Sequence, residues 1–145
     1  MTDSYFYIER AGDDAGSPAL FLFHGTGGDE HQFMDLGAGL KPGARRIAPR
    51  GDVSEGGALR YFKRLGEGRY DMADLARATT KMSGFVGERL GEERPAEVIG
   101  LGYSNGANIL ASVLFETPEL FTAAVLMHPL IPFTPAPQPG LAGLR

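Results

Sequence analysis

The sequence contains no cysteine, which removes disulfides, cysteine nucleophiles and thiolate metal sites from consideration. It has no basic excess: 14 Lys and Arg stand against 18 Asp and Glu, for a net charge of −4. No nucleic-acid partner is therefore expected. No apolar run approaches the ~20 residues that a spanning helix needs, so stable membrane insertion is not expected. Met1, Thr2, Asp3 and Ser4 offer neither a basic n-region nor an apolar core. No secretory signal is visible there, and the cytoplasm is the expected compartment.

What remains is an ordinary globular composition, 43% hydrophobic and 22% charged, over 145 residues. That length suits one domain. Glycine is in excess, with 21 residues, and five of the ten prolines (Pro129, Pro132, Pro135, Pro137, Pro139) crowd the end of the chain.

Apolar runs alternate with amphipathic stretches. Ser4–Glu9 reads as a strand. Ala19–Phe23 (ALFLF) is an uninterrupted apolar run, the pattern of a strand buried on both faces. Phe33, Leu36 and Leu40 recur at helical spacing, and Arg46–Ala48 is a short strand cut off by Pro49. Residues 50–68 read as a loop-rich excursion, and the cluster Arg60, Lys63, Arg64 as a solvated face. Asp71 is placed to cap a helix running to Leu90, with the stripe Met72, Leu75, Thr79, Met82, Val86, Leu90, and Gly91 stops it. Glu97–Leu101 is a strand, Ala107–Phe115 a helix apolar on nearly all faces, and Ala123–Met127 one more buried strand. The alternation predicts an α/β chain with a mostly parallel sheet and helices on both faces. Ligands of such sheets bind at the carboxyl ends of the strands, where both glycine-rich loops fall.

Gly102-Tyr103-Ser104-Asn105-Gly106 fits G-x-S-x-G. In a chain this rich in glycine the bare pattern arises by chance roughly 0.1 times, so the context must carry it. A buried strand precedes it and an apolar helix follows at once, the setting of a nucleophile elbow. The elbow aims the Ser104 hydroxyl out of the sheet and leaves the Asn105 N–H, at the helix N-terminus, to receive a developing oxyanion. A second donor is expected from His24-Gly25-Thr26-Gly27-Gly28, with the Thr26 N–H as the choice. Phosphate binding competes poorly. Gly100-Leu101-Gly102 begins a G-x-G, but Asn105 stands where the third glycine is needed, and no G-K-[ST] occurs.

HGTGGDE at 24–30, APRGD at 48–52, YFKRLGEGRYD at 61–71 and GYSNGAN at 102–108 resemble, in order, the bacterial phospholipase/carboxylesterase group of α/β-hydrolases, above all the small MhqD-type carboxylesterases. The resemblance runs from about Ala19 to Pro132. It implies an α/β-hydrolase fold and a serine esterase acting on small or medium ester substrates, with no metal or other cofactor. Ser104 would be the nucleophile, and Thr26 and Asn105 would form the oxyanion hole. His24 would brace the oxyanion loop. His24, Gly25, Tyr61, Phe62, Tyr103 and His128 make up the expected substrate-binding set.

A serine nucleophile needs a base, and the base an orienting acid, in the chain order Ser, Asp or Glu, His. After Ser104 the sequence offers only Glu116, Glu119 and His128. Glu116 lies twelve residues down the helix, about 18 Å away. His128 falls near the catalytic edge and reads as pocket-lining. His31 reads as a solvated surface residue. The family's catalytic Asp and His belong to later segments. Residues 1–132 thus read as the N-terminal portion of one hydrolase domain, and 133–145 as a proline-rich connection toward a strand that is not in this chain. The expectation is an esterase whose chain is inactive or impaired, since the triad Asp and His are absent from it. The alternative is a non-catalytic binding or interaction protein that keeps the pocket. An unpaired sheet edge at Ala123–Met127 would also invite strand addition from a partner or from a second copy, the latter giving a homo-oligomer.

Overall fold

In a computed structural model, residues 5–66, 69–92 and 94–128 are described; the proline-rich stretch 133–145 lies outside them. In chain order the elements are β1 (Tyr7–Arg10), β2 (Ala19–Phe23), α1 (Met34–Leu40), β3 (Arg45–Pro49), β4 (Val53–Glu55), β5 (Ala58–Arg60), β6 (Arg64–Gly66), β7 (Arg69–Tyr70), α2 (Met72–Leu90), β8 (Val98–Tyr103), α3 (Asn105–Glu116), a 3-10 turn (Pro118–Leu120) and β9 (Ala123–Met127). Five strands form the main sheet in the order β1-β3-β2-β8-β9. All pair in parallel except β1, which runs antiparallel to β3.

The ALFLF run is explained by its central place. All five residues of β2 are buried. Ala19, Phe21 and Phe23 face a core shared with Leu75, Met82, Phe85 and Val86 of α2 and Ile109, Leu110 and Val113 of α3. Leu20 and Leu22 face the other side, with Met34 of α1, Ala48 and Leu101. Each fully buried Leu or Phe contributes roughly 1.5–3 kcal/mol, so the run pins β2 as the sheet's middle strand.

Helix α2 begins and ends where its punctuation predicts. The Asp71 side chain accepts from the Asp74 N–H (3.0 Å), and Gly91 closes the helix at φ 69°. Its buried stripe is Leu75, Ala78, Thr79, Met82, Phe85, Val86 and Leu90. Met72, expected in that stripe, is in the first turn and 48% exposed, at the open groove between α2 and α3. The excursion at 50–68 is not a loop. It folds into an antiparallel hairpin of β4 and β5, and β6 opens a second with β7. Gly56 and Gly57 turn the first hairpin with φ of 60° and 94°, conformations that glycine adopts at no steric cost. No helix among the described residues is long and apolar enough to cross a membrane.

Candidate active site

The sheet reverses its winding between β2 and β8. Successive strands step from β2 to β3 on one side and from β8 to β9 on the other, which opens a crevice at the carboxyl ends of the two central strands. Phe23 pairs with Gly102 across that junction. Two segments enter the crevice: the 24–28 loop leaving β2 and the turn at Ser104 leaving β8.

Ser104 sits at φ 53°, ψ −113°. Such a backbone costs a non-glycine residue about 1–3 kcal/mol and persists only where its surroundings enforce it. The enforcement is visible. The Ser104 N–H donates to Met127 O (2.8 Å) at the end of β9, and Ser104 O accepts from the Asn108 N–H (2.9 Å) to open α3. Strand and helix nearly touch. A Cβ on Gly102 would lie 2.6 Å from Gly106 O, and one on Gly106 would collide with Phe23 O and lie 2.5 Å from His24 O. The spacing of the two glycines around Ser104 is therefore a packing requirement. The Ser104 hydroxyl has no hydrogen-bond partner among the described residues.

The amides around Ser104 divide into committed and free. Those opening α3 have no intrahelical acceptor, and the helix dipole makes this end positive. In the loop, the Gly25 N–H donates to Gln32 Oε1 (3.0 Å), the Gly27 N–H to Leu59 O (3.1 Å) and the Gly28 N–H to Gly25 O (2.9 Å). The Thr26 N–H is left without a partner among the described residues. Thr26 is itself exposed, while its Oγ1 accepts from Arg60 Nη1 (2.7 Å).

Beneath the loop, His24 is 1% exposed. Its Nε2 lies 2.9 Å from the Gly51 N, and its Nδ1 2.8 Å from Gly25 O. A backbone N–H can only donate, so Nε2 accepts, Nδ1 carries the proton, and the ring is neutral. Burial also holds its pKa below the usual histidine value, against the raising effect of the Gly25 carbonyl. The His24 ring packs on Tyr61 with centroids 4.7 Å apart. Tyr61 OH accepts from the His24 N–H (3.2 Å) and donates to Pro49 O (2.8 Å), while the Tyr61 N–H donates to Asn105 Oδ1 (2.7 Å). Burial pushes the Tyr61 phenol well above its ordinary pKa, so it stays protonated.

These contacts place each residue of the expected substrate-binding set. Tyr61 and Phe62 are 0% exposed, within the core on the α2 and α3 side of the sheet. His24 and Gly25 are likewise buried, with both ring nitrogens of one and both backbone polar groups of the other already bonded. The two ring bonds tie His24 to the Gly25 carbonyl and the Gly51 amide and leave it no free nitrogen. Tyr103 and His128 do reach the outside. Tyr103 is 38% exposed, its ring lies where a Gly25 side chain would be, and His128 packs edge-on against it with centroids 5.6 Å apart. Arg60, expected on a solvated face, is only 3% exposed. The missed signal is Glu55-Gly56-Gly57-Ala58: a Gly-Gly pair between two strands marks a two-residue hairpin, and that hairpin brings Leu59 and Arg60 to the loop.

Glu30 closes the far side of the loop. It is buried, and Arg50 grips both of its oxygens at 2.7 Å. That bidentate bond holds the Glu30 pKa down to about 2. His31, largely exposed, lies 3.5 Å from the same carboxylate. An open groove of about 400 Å³ between α2 and α3 ends at Phe115 and Glu116, the opposite end of α3 from Ser104.

No protein-family model matches the chain. Among characterised sequences it is 42% identical over 127 residues to the Bacillus subtilis protein MhqD, assigned as a hydrolase, covering 86% of this chain and 64% of MhqD. Among solved structures it superposes on an Agrobacterium tumefaciens protein of unknown function at TM-score 0.88 and 61% identity, covering 95% of this chain and 67% of the other. It superposes on a Bacillus cereus carboxylesterase at TM-score 0.84 and 36% identity, covering 92% and 64%. The chain thus spans about two thirds of the length of these relatives. With a mostly parallel sheet wound around a strained serine, and with this agreement in sequence and backbone, the chain belongs to the α/β-hydrolase family as a homologue of MhqD.

Proposed function

We propose that the chain carries the nucleophile and the oxyanion hole of a serine carboxylesterase that cleaves small or medium ester substrates. The observation that carries this reading is Ser104, held at positive φ in the crevice between two glycine-rich loops with the Thr26 amide left free beside it. Ser104 Oγ attacks the ester carbonyl carbon and gives up its proton to a base. The carbonyl oxygen becomes an oxyanion that accepts from the Thr26 and Asn105 N–H groups. The C–O bond to the alcohol then breaks, with a proton returned to the leaving oxygen. Water next hydrolyses the acyl-serine to the carboxylic acid and free Ser104. Each oxyanion donor in such a site is worth about 10²–10³-fold in rate.

The base is the weak point. Both nitrogens of His24 are committed beneath the loop, and His128 has no hydrogen bond to Ser104 or to a carboxylate among the described residues. The 145 residues alone are therefore expected to retain only the residual catalysis of a site without its base, about 10³–10⁴-fold over water. The test is to treat the chain and its Ser104→Ala variant with a fluorophosphonate and with p-nitrophenyl acetate. Slow, stoichiometric labelling that vanishes in Ser104→Ala is expected. Absence of Ser104-dependent labelling overturns the assignment. Turnover in the ordinary range of roughly 1–1,000 s⁻¹ overturns the missing-base part.

A further inference from the structure

The two oxyanion donors proposed above come from distant parts of the chain, the loop after β2 and the start of α3. Their spacing must hold to within an ångström to be useful. Three consecutive residues touch both parts. Leu59 O accepts from the Gly27 N–H (3.1 Å), next to Thr26. Arg60 Nη1 donates to Thr26 Oγ1 (2.7 Å). The Tyr61 N–H donates to Asn105 Oδ1 (2.7 Å).

Arg60 is the anomaly among them. Burying a guanidinium costs several kcal/mol, and an apolar residue of similar volume generally serves stability as well. The nearest carboxylate, Glu55, is 3.6 Å from Nε and half open to solvent, so it is a weak counterweight. The guanidinium is instead spent on two neutral oxygens: Nε donates to Phe62 O (2.9 Å) and Nη1 to Thr26 Oγ1. Its planar fork fixes the direction between those oxygens, which a flexible ammonium would not. The arrangement fits a positioning role better than a stabilising one. Asn105 repeats the pattern. It is 2% exposed, its Oδ1 is taken by Tyr61, and its Nδ2 is buried with no partner among the described residues. A buried amide left half-satisfied costs about 1–3 kcal/mol, yet it ties the first residue of α3 to the strap.

We propose that residues 59–61 form a strap that sets the distance between the Thr26 and Asn105 amides, with Arg60 as its positioning residue. This rests on the reading of those amides as the oxyanion hole. The test compares Thr26→Val, Thr26→Ser, Arg60→Met and the double variant Arg60→Met/Thr26→Val by the rate of Ser104 phosphonylation and by the kcat and KM of residual p-nitrophenyl acetate hydrolysis. Thr26 is exposed, so Thr26→Val remains informative even if Arg60→Met folds poorly. Thr26→Val is expected to slow labelling about tenfold to a hundredfold and to lower kcat with KM nearly unchanged, because oxyanion contacts form in the transition state. Thr26→Ser, which keeps the hydroxyl, is expected to recover most of that loss. The double variant should be no slower than the slower single, since both cut one bond. Labelling of Thr26→Val within twofold of the unsubstituted chain, or losses that multiply in the double variant, overturns the strap while leaving Ser104 as the nucleophile. If the unsubstituted chain shows no Ser104-dependent labelling, the hydrolase reading falls first and the strap with it.

Discussion

Replacing His24 with glutamine should remove one component of the protein's sensitivity to acid. The neutral imidazole accepts from the Gly51 N–H at Nε2 and donates to Gly25 O from Nδ1. A second proton on Nε2 would set N–H against N–H in a site that is 1% exposed. Burial accordingly lowers the pKa in the folded protein, while in the unfolded chain a histidine titrates near 6.5. Between those two values the unfolded state holds a proton that the folded state lacks. The contribution of His24 is therefore fully present above about pH 6.5 and is lost as the pH falls below it, at up to ~1.4 kcal/mol per pH unit. With a urea m-value of about 1–3 kcal/mol/M, that slope moves the unfolding midpoint by roughly 0.5–1.4 M per pH unit. In His24→Gln the amide oxygen can still accept from Gly51, but nothing titrates. The variant should start about 1–2 kcal/mol less stable at pH 7, having lost the ring packing on Tyr61 and the bond to Gly25 O. Urea titrations followed by circular dichroism from pH 8 to pH 5 should then show the two stability curves converging toward acid. His31 and His128 are present in both proteins and drop out of the comparison. Parallel curves across that range would refute the neutral, doubly bonded state assigned to His24.

Two further substitutions probe the junction and the loop. Gly106→Ala puts a Cβ against Phe23 O and His24 O; it should cost more than ~2 kcal/mol in chemical denaturation and slow Ser104 labelling at least about tenfold. Gly87→Ala on α2, where a Cβ meets nothing within 4 Å, should instead stabilise by about 0.5–1 kcal/mol. Arg50→Met strands the buried Glu30 carboxylate. The unfolding midpoint at pH 7 should therefore fall, though by less than for a fully buried pair, because the Arg50 side chain is 42% exposed and solvent screens it. Because Arg50 holds Glu30 at about 2, below the ordinary carboxylate value near 4.3, that stabilisation is present above about pH 4.5 and disappears toward pH 2. The Glu30 part of the acid unfolding slope should accordingly be absent in Arg50→Met. An unchanged midpoint at pH 7 would show that the pair adds nothing.

Several elements were legible because their causes are local. A five-residue apolar run bounded by turn residues favours a strand covered on both faces, and β2 is one; the similar run of β9, expected to be buried as well, is only partly so, with Val125 46% exposed. Asp71 and Gly91 bracket α2 because capping involves groups within a single turn. The glycines flanking Ser104 were also readable, since the strand–turn–helix order around them is continuous in sequence. The 50–68 segment was misread because its many glycines hid a Gly-Gly hairpin turn, and short strands of mixed polarity carry little periodicity.

The environment of each side chain is another matter. Tyr61, Phe62 and Arg60 look alike in sequence to any exposed aromatic and basic stretch. Their burial depends on contacts with Thr26, Pro49 and Asn105, which lie 12 to 44 residues away in the chain. The same holds for His24: its neutral state requires the Gly51 amide, delivered by a neighbouring strand. By itself the sequence determined the order of the main-sheet strands and the helices between them, the place of the strained serine and the small residues it requires, because steric and hydrogen-bonding rules act over one turn or one strand. Only the tertiary structure decided which polar groups around Ser104 are free to meet a ligand and which are already bonded, because that depends on partners brought together by the winding of the sheet.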